Sequence, residues 1–358
     1  MRKDTWLTGL QASCRRRMMI IIIKNIGDVS DDSNNKLRAL ENLFCAYGEG
    51  RHVLWMPIEL VSSLMSESRF SEFSKRVLYD LKSTVLETRR IESSFGFHVE
   101  IDFVNPYRLE SDQGVLNIGY RKVVQSGMLQ KAIFLTENLL DAQVYFVGAE
   151  VFLVKNRMLA GCQINLDLQP GGGSTTYDLF VKLKAEEKLF LCVIDSDKEH
   201  PRGPAGSTAK RFNGEEKGLL GGYYLEVLSH HEIENLLPIK IVKEVLSSDF
   251  DMGAIFGRVD FEDYRKFPDH KLGLKLSRAR EMDLLHKYSF WKDFYELDDE
   301  QWLCSPMGDA LLENVYGYMR QQSTHKLAEL FESGVVPEWE HLSKMVASWG
   351  VGMRRSLV

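Results

Sequence analysis

Two apolar runs end in acids: KAIFLT (131–136) is followed by Glu137, and KLFLCVI (188–194) by Asp195 and Asp197 in the order DSD. Runs this apolar read as buried parallel strands, and ligands of open α/β sheets gather outside the carboxyl ends of such strands. Carboxylates meeting there suit a hard divalent cation, Mg²⁺ or Mn²⁺, which takes one or two carboxylates together with waters and phosphate oxygens. Such a centre polarises a phosphodiester, neutralises its developing charge and activates a water. With an extended or bridge-region backbone, Asp195 and Asp197 project to one side and Ser196 turns away. Between these runs, QINLDL (163–168) leads into PGGGSTT (170–176). There Gly172, Gly173 and Ser174 offer bare amides and a positive helix end to a phosphate. The same glycines serve equally as a sharp turn with positive φ.

More charge lies downstream. KEHPRGPAGSTAKR (198–211) sets Lys198, Arg202, Lys210 and Arg211 against Glu199. This is either a grip on a phosphate backbone or a solvated loop. Lys198, next to the second aspartate, is the member placed for a catalytic role. Asp141 falls in the first turn of the helix after Glu137, where an acid favours the dipole, a reading that ranks ahead of metal ligation. SHHEIENLLP (229–238) carries Glu232 and Glu234. They are candidates for a further metal ligand, Glu234 ahead of Glu232, or else the outward face of an apolar turn. His230 and His231 read as surface residues. PDHKLG (268–273) brings Asp269, His270 and Lys271 together, with no assigned place relative to the sheet.

The elements that must position these groups follow from apolar periodicity. Strands are expected at 18–24, 52–56 and 97–103, with helices at 34–47 and 71–87, giving a small α/β unit. Residues 104–128 read as a connection. From 131 a βα series follows: strands at 131–136, 163–168, 188–194 and 222–228, and helices at 138–154 and 177–187. The expected fold class is therefore α/β, a Rossmann-like parallel sheet preceded by a small α/β unit and followed by a helical region. The division is a loose tail at 1–17, the small unit at 18–125, the site-bearing domain at 126–245 and a mostly helical region at 246–358. Trp291, Trp302, Trp339 and Trp349 read as packing residues.

The order of a strand ending in Glu137, a glycine-bearing segment, and a strand ending in Asp195-Ser-Asp197 resembles the TOPRIM domain of topoisomerases and primases. With HEIEN at 231–235 added, it is closest to the overcoming-lysogenization-defect and other bacterial defence-type nucleases. The arginine expected before EIEN is His231 here. The resemblance covers about residues 131–240. It implies Glu137 as general acid/base or metal ligand, Asp195 and Asp197 as metal ligands, and a Mg²⁺-dependent nuclease acting on DNA or RNA in antiviral defence. The alternative is a non-catalytic nucleic-acid-binding or regulatory subunit working with a partner protein, such as an ATPase.

Bulk properties narrow the field. The 358 residues carry 45 Lys+Arg against 51 Asp+Glu, a net charge of −6, which argues against a simple basic nucleic-acid coat. No P-loop is present, so the chain is not expected to hydrolyse ATP by itself. A haloacid-dehalogenase phosphatase would want a small hydroxyl residue where Glu199 stands. A DxD glycosyltransferase would leave Glu137 and the glycine loop without a role. The scattered cysteines have no zinc spacing and read as reduced thiols of a cytoplasmic protein. No run approaches the ~18–20 apolar residues that cross a bilayer, so no membrane partner is expected.

Overall fold

A computed structural model describes residues 19–28, 30–158, 160–332, 336–354 and 357. The expected tail at 1–17, with Cys14, and the first residue of the first expected strand lie outside the described residues.

The N-terminal unit runs β1 (Ile20–Ile22), α1 (Ser33–Gly48), β2 (Val53–Trp55), α2 (Ile58–Met65), α3 (Glu72–Thr84), β3 (His98–Asp102), β4 (Leu109–Asp112), β5 (Val115–Gly119) and α4 (Tyr120–Val123). Its sheet has the order β2-β1-β3-β5-β4, parallel except for the antiparallel edge strand β4. The connection expected at 104–128 therefore holds a hairpin. Its turn residues Gln113 and Gly114 both have positive φ, 46° and 79°, as a tight primed turn demands.

The second unit runs β6 (Ile133–Thr136), α5 (Leu139–Lys155), β7 (Cys162–Ile164), β8 (Asp167–Pro170), α6 (Thr176–Ala185), β9 (Phe190–Ile194), α7 (Ser207–Arg211), β10 (Gly218–Leu220) and β11 (Tyr223–Val227). Its sheet order is β10-β11-β9-β6-β8, parallel but for β10. The run expected as one strand at 163–168 is broken: β8 joins this sheet, whereas β7 pairs elsewhere. Successive strand residues point to opposite faces, and both faces are covered. Phe134, Leu191, Val193 and Tyr224 join the large core. Leu135, Phe190, Cys192, Ile194 and Leu225 form a second core with Phe180, Leu183, Ala209 and Phe212 of the other helical layer.

The remainder runs α8 (Ile239–Val245), β12 (Leu274–Lys275), α9 (Leu276–His286), β13 (Trp302–Cys304), α10 (Leu311–Gln321), α11 (Thr324–Leu330), α12 (Pro337–Gly350) and β14 (Val351–Met353). It is less helical than expected. Much of 246–275 is short 3-10 turns and loop, and β12 and β13 form a small antiparallel pair. β14 returns to pair with β7. The tryptophan reading holds for Trp291, Trp339 and Trp349, which are fully buried. α12 lies close against α5 because a side chain at Gly148 would come within 2.9 Å of the Trp339 ring. One apolar cluster runs continuously from Met19 through α5 to Val351, so the N-terminal unit, second sheet and C-terminal helices share a core.

The protein is thus α/β with mixed, mainly parallel sheets. Among the described residues no helix is long and apolar enough to cross a membrane. No described cysteine is in a disulfide; Cys162, Cys192 and Cys304 are buried and Cys45 is partly so.

Candidate metal centre

β6 and β9 are hydrogen-bonded neighbours, paired Ile133 to Phe190 and Leu135 to Cys192. From β6 the chain proceeds to β8 on one side, then crosses to β9 on the other. Their carboxyl ends are therefore a topological switch point, where the sheet leaves a crevice. Glu137 leaves β6 there, and Asp195 leaves β9.

Glu137 is held by its neighbours. The Gly171 amide donates to the Thr136 carbonyl at 2.8 Å and the Gly172 amide to the Glu137 carbonyl at 3.0 Å. These two amides are consequently not bare. Gly172 and Gly173 have φ of 77° and 64°, so the loop's glycines serve the turn that presses it against Glu137. Thr208 donates a hydrogen bond to the Glu137 carboxylate, whose Oε1 is buried without a partner. Burial, then the charges of Asp197, Asp141 and Glu232, push the Glu137 carboxyl up to about 7.

Asp141 occupies the first turn of α5 as expected and closes a capping box, accepting from the Asn138 amide at 3.0 Å. It does more than cap. Its side chain is 6% exposed, and burial leads the causes that raise its carboxyl to about 6, with Glu232 adding to them. Asp195 is raised well above the ordinary carboxyl range by burial and by Asp141, Glu234, Glu137 and Glu232. Tyr145, one helical turn beyond Asp141, has a buried hydroxyl without a partner, and burial and the Asp195 charge raise it.

Asp197 departs from the extended or bridge-region backbone expected of it. Its φ is 51°, in the left-handed region that aspartate tolerates better than most residues. The turn is secured from behind: the amides of Ser196 and Asp197 both donate to the His231 carbonyl, at 3.1 and 2.8 Å. Ser196 does turn away, its hydroxyl donating to the His230 carbonyl at 2.5 Å. Gly206 returns against this turn, its amide donating to the Ser196 carbonyl at 2.8 Å. A Cβ at Gly206 would lie 2.5 Å from Asp197 Cβ and closer to its carboxylate. Gly206→Ala should therefore displace Asp197 and cost about 1–3 kcal/mol of stability, the usual range for overpacking. Thermal melts and metal titrations of the variant check this; unchanged metal affinity would contradict it.

Glu232 and Glu234 are not an outward face. Asn235 Nδ2 donates to the carbonyls of Arg265 and Pro268 at 2.8 and 2.9 Å, clamping 265–268 onto the 229–238 turn. That clamp delivers Lys271, whose Nζ lies 2.6 Å from Glu232 Oε2 and 3.4 Å from Glu234 Oε1. Glu234 is 4% exposed, and burial followed by the Glu232 charge raises it to about 7. Lys271 is raised by Glu234 and Glu232, which outweigh its own burial. His230 and His231 are buried rather than on the surface, and His230 Nδ1 lies 2.7 Å from Glu338 Oε2.

Burial and neighbouring acids, the Glu232 charge among them, thus raise Glu137, Asp141, Asp195 and Glu234, and Lys271 is the ammonium beside Glu232 and Glu234. A surplus of buried carboxylates, one with an orphaned oxygen, has the donor chemistry for a divalent cation, but Glu137, Asp195, Asp197 and Glu234 do not form a group of ligand atoms within 4.8 Å of one another. Thr208 and the buried His231 escaped the sequence-based site, whereas Asp141 ranks there first as a helix-dipole acid and Lys271 stands only in an outside candidate segment. The one signal for Lys271 was the DHK triplet at 269–271.

The expected phosphate-gripping residues divide. Arg211 pairs with Asp178 at 2.6 Å and also bonds the Ser174 carbonyl. Arg202 stacks on Tyr288 at 4.2 Å and bonds the Lys287 carbonyl at 3.2 Å. Lys198 and Lys210 make no ion pair among the described residues. Beneath the loop, buried His200 meets Asp283 at 3.0 Å; Asp283 also accepts from the amides of Phe290 and Trp291 and from the Tyr295 hydroxyl.

Comparisons with protein-family models, curated proteins and solved structures found no match to this chain.

Proposed function

We propose that this chain is a metal-dependent phosphodiester hydrolase of nucleic acid, built on a TOPRIM-like domain. The observation that carries the reading is the crowding of negative charge beyond the ends of β6 and β9, where Asp141, Glu234 and Glu137 all act on the buried Asp195 and Glu137 keeps an unpaired buried oxygen. Glu137, Asp195, Asp197 and Glu234 would hold Mg²⁺ or Mn²⁺, with Asp141 and Glu232 adjoining. Bound there, the cation would polarise a phosphodiester and lower the pKa of a water.

The chain's own groups supply the rest. Glu137, poised near neutrality, can hold or accept a proton at the pH of reaction. Lys271 keeps a fixed positive charge among the acids, where a phosphate oxygen must come. Lys198 and Lys210 are the cations left uncommitted to guide a backbone, whereas Arg202 and Arg211 are already engaged. With the net charge of −6, this sparse set of cations favours a partner protein that contributes to substrate binding. A role as an antiviral defence effector rests on the resemblance to defence-type nucleases.

Incubation of the purified chain with plasmid, single-stranded DNA and tRNA, each with Mg²⁺, Mn²⁺ or EDTA, tests the proposal. Cleavage should require metal and vanish in the Asp195→Asn/Asp197→Asn double variant. Cleavage surviving in that variant, or no metal-dependent cleavage of any substrate, would sink it.

A further inference from the structure

The His231 side chain is only 7% exposed and forms no hydrogen bond among the described residues. Its Nδ1 is buried without a partner, and its Nε2 lies 4.0 Å from Glu232 Oε1, beyond hydrogen-bond reach. A buried imidazole left in this state lacks the compensation that such groups ordinarily find. One ligand atom each from His231, Glu232 and Asp269 lie within 4.8 Å of one another, the one such grouping among the described residues.

Each member is fixed before any ligand arrives. The His231 amide donates to the Lys266 carbonyl at 2.7 Å, and its carbonyl receives the Ser196 and Asp197 amides. The Glu232 amide donates to Asn235 Oδ1 at 3.0 Å. Glu232 divides its carboxylate: Oε2 meets Lys271, while Oε1 faces His231. Asp269 Oδ1 accepts from the amides of Lys271 and Leu272 at 2.7 and 3.0 Å, which anchors the group. Ligands set on bonded backbone turns approach the preorganisation that a metal site needs.

The imidazole decides the class of ion. Mg²⁺ prefers oxygen and gives up its waters reluctantly, whereas one imidazole with two carboxylates suits Mn²⁺, Fe²⁺ or Zn²⁺. We propose that His231, Glu232 and Asp269 bind a divalent transition metal at a site adjoining the all-oxygen group of Glu137, Asp141, Asp195 and Glu234. The site requires no nuclease activity, and its test reads binding alone.

The full chain, stripped with chelator, would be titrated calorimetrically with Mn²⁺, Zn²⁺ and Mg²⁺. Pulsed electron paramagnetic resonance of bound Mn²⁺ would report nitrogen ligation. The wild-type chain should show ¹⁴N coupling, and Asp195→Asn should keep it. His231→Gln should lose the coupling and weaken Zn²⁺ binding at least ~10-fold, within the range for disturbed metal sites, with Mg²⁺ binding unchanged. Asp269→Asn should weaken Zn²⁺ similarly with the imidazole still present, and it decides the matter if His231→Gln does not fold. Absence of ¹⁴N coupling in the wild type, its survival in folded His231→Gln, or unchanged Zn²⁺ affinity in Asp269→Asn would each overturn the proposal.

Discussion

Asp195→Asn is expected to abolish metal-dependent cleavage, by at least ~10³-fold, while making the metal-free chain more stable. The two effects share one cause. Asp195 is crowded by Asp141, Glu234, Glu137 and Glu232, so its charge is costly whenever no cation compensates it. An amide of the same shape removes that charge without leaving a cavity. Neutral replacement of buried charged groups often gains ~1–4 kcal/mol, and a gain of that order is expected here. On the proposed function, the lost activity would reflect loss of the most deeply buried of the proposed metal ligands. Urea melts in EDTA, run beside cleavage assays, measure both effects. A variant both inactive and less stable would mean that Asp195 is chiefly a structural hydrogen-bonding group.

The metal-free chain should also lose stability as pH rises from about 4.5 to about 7. Glu137 and Glu234 each move from 4.5 to about 7 on folding, and Asp141 from 3.8 to about 6. These folded-state values are raised, so the folded chain holds protons that the unfolded chain releases first. Below about 4.5 both states are protonated at the glutamates and no penalty exists. Through the window the unfolded state gains by ionising, and above about 7 the penalty is complete. At ~1.36 kcal/mol per pKa unit, the buried Glu234 accounts for about 3 kcal/mol. Because the acids share one cluster, the total is less than the sum over its members. Glu338 works in the opposite sense at lower pH: hydrogen bonds from His230 and Ser229 overcome its burial and hold it near 2. Urea midpoints in EDTA should fall across pH 4.5–7, and saturating Mn²⁺ should flatten the slope. A midpoint independent of pH in EDTA would show that the acids are solvated rather than crowded.

The parts of this architecture readable in the sequence are those whose burial leaves a local pattern. β6 and β9 are apolar on both faces, and the acids after them announce their ends. β4 escaped because LESD is a half-exposed edge strand, and its hairpin turns on Gln-Gly rather than the stronger Asn-Gly or Asp-Gly signal. The break at 165–166 escaped because QINLDL alternates regularly across two strands of different sheets. At the candidate centre, the acids nearest the strand ends were legible. Lys271 was not, since bonds from the 229–238 turn to carbonyls about thirty residues away, those of the Asn235 carboxamide and the His231 amide, bring it there. His231 misled because adjacent histidines carry no local sign of burial. The outward residue of such a pair is the usual surface case; here Glu338 meets the ring of one, and the backbone carbonyl of the other holds the DSD turn.

The clamp formed by Asn235 also bears on the order in which the molecule completes itself. Strands β6 and β9 need residues of their own sheet, but the centre closes only when the segment after residue 265 docks on the 229–238 turn. Until then the acids face one another without Lys271, and their repulsion opposes the final compaction. Contacts this distant along the chain form late, because loop closure must precede any reward from them. A divalent ion that recognises only the finished arrangement would therefore act mainly as a brake on unfolding, not as a guide to folding.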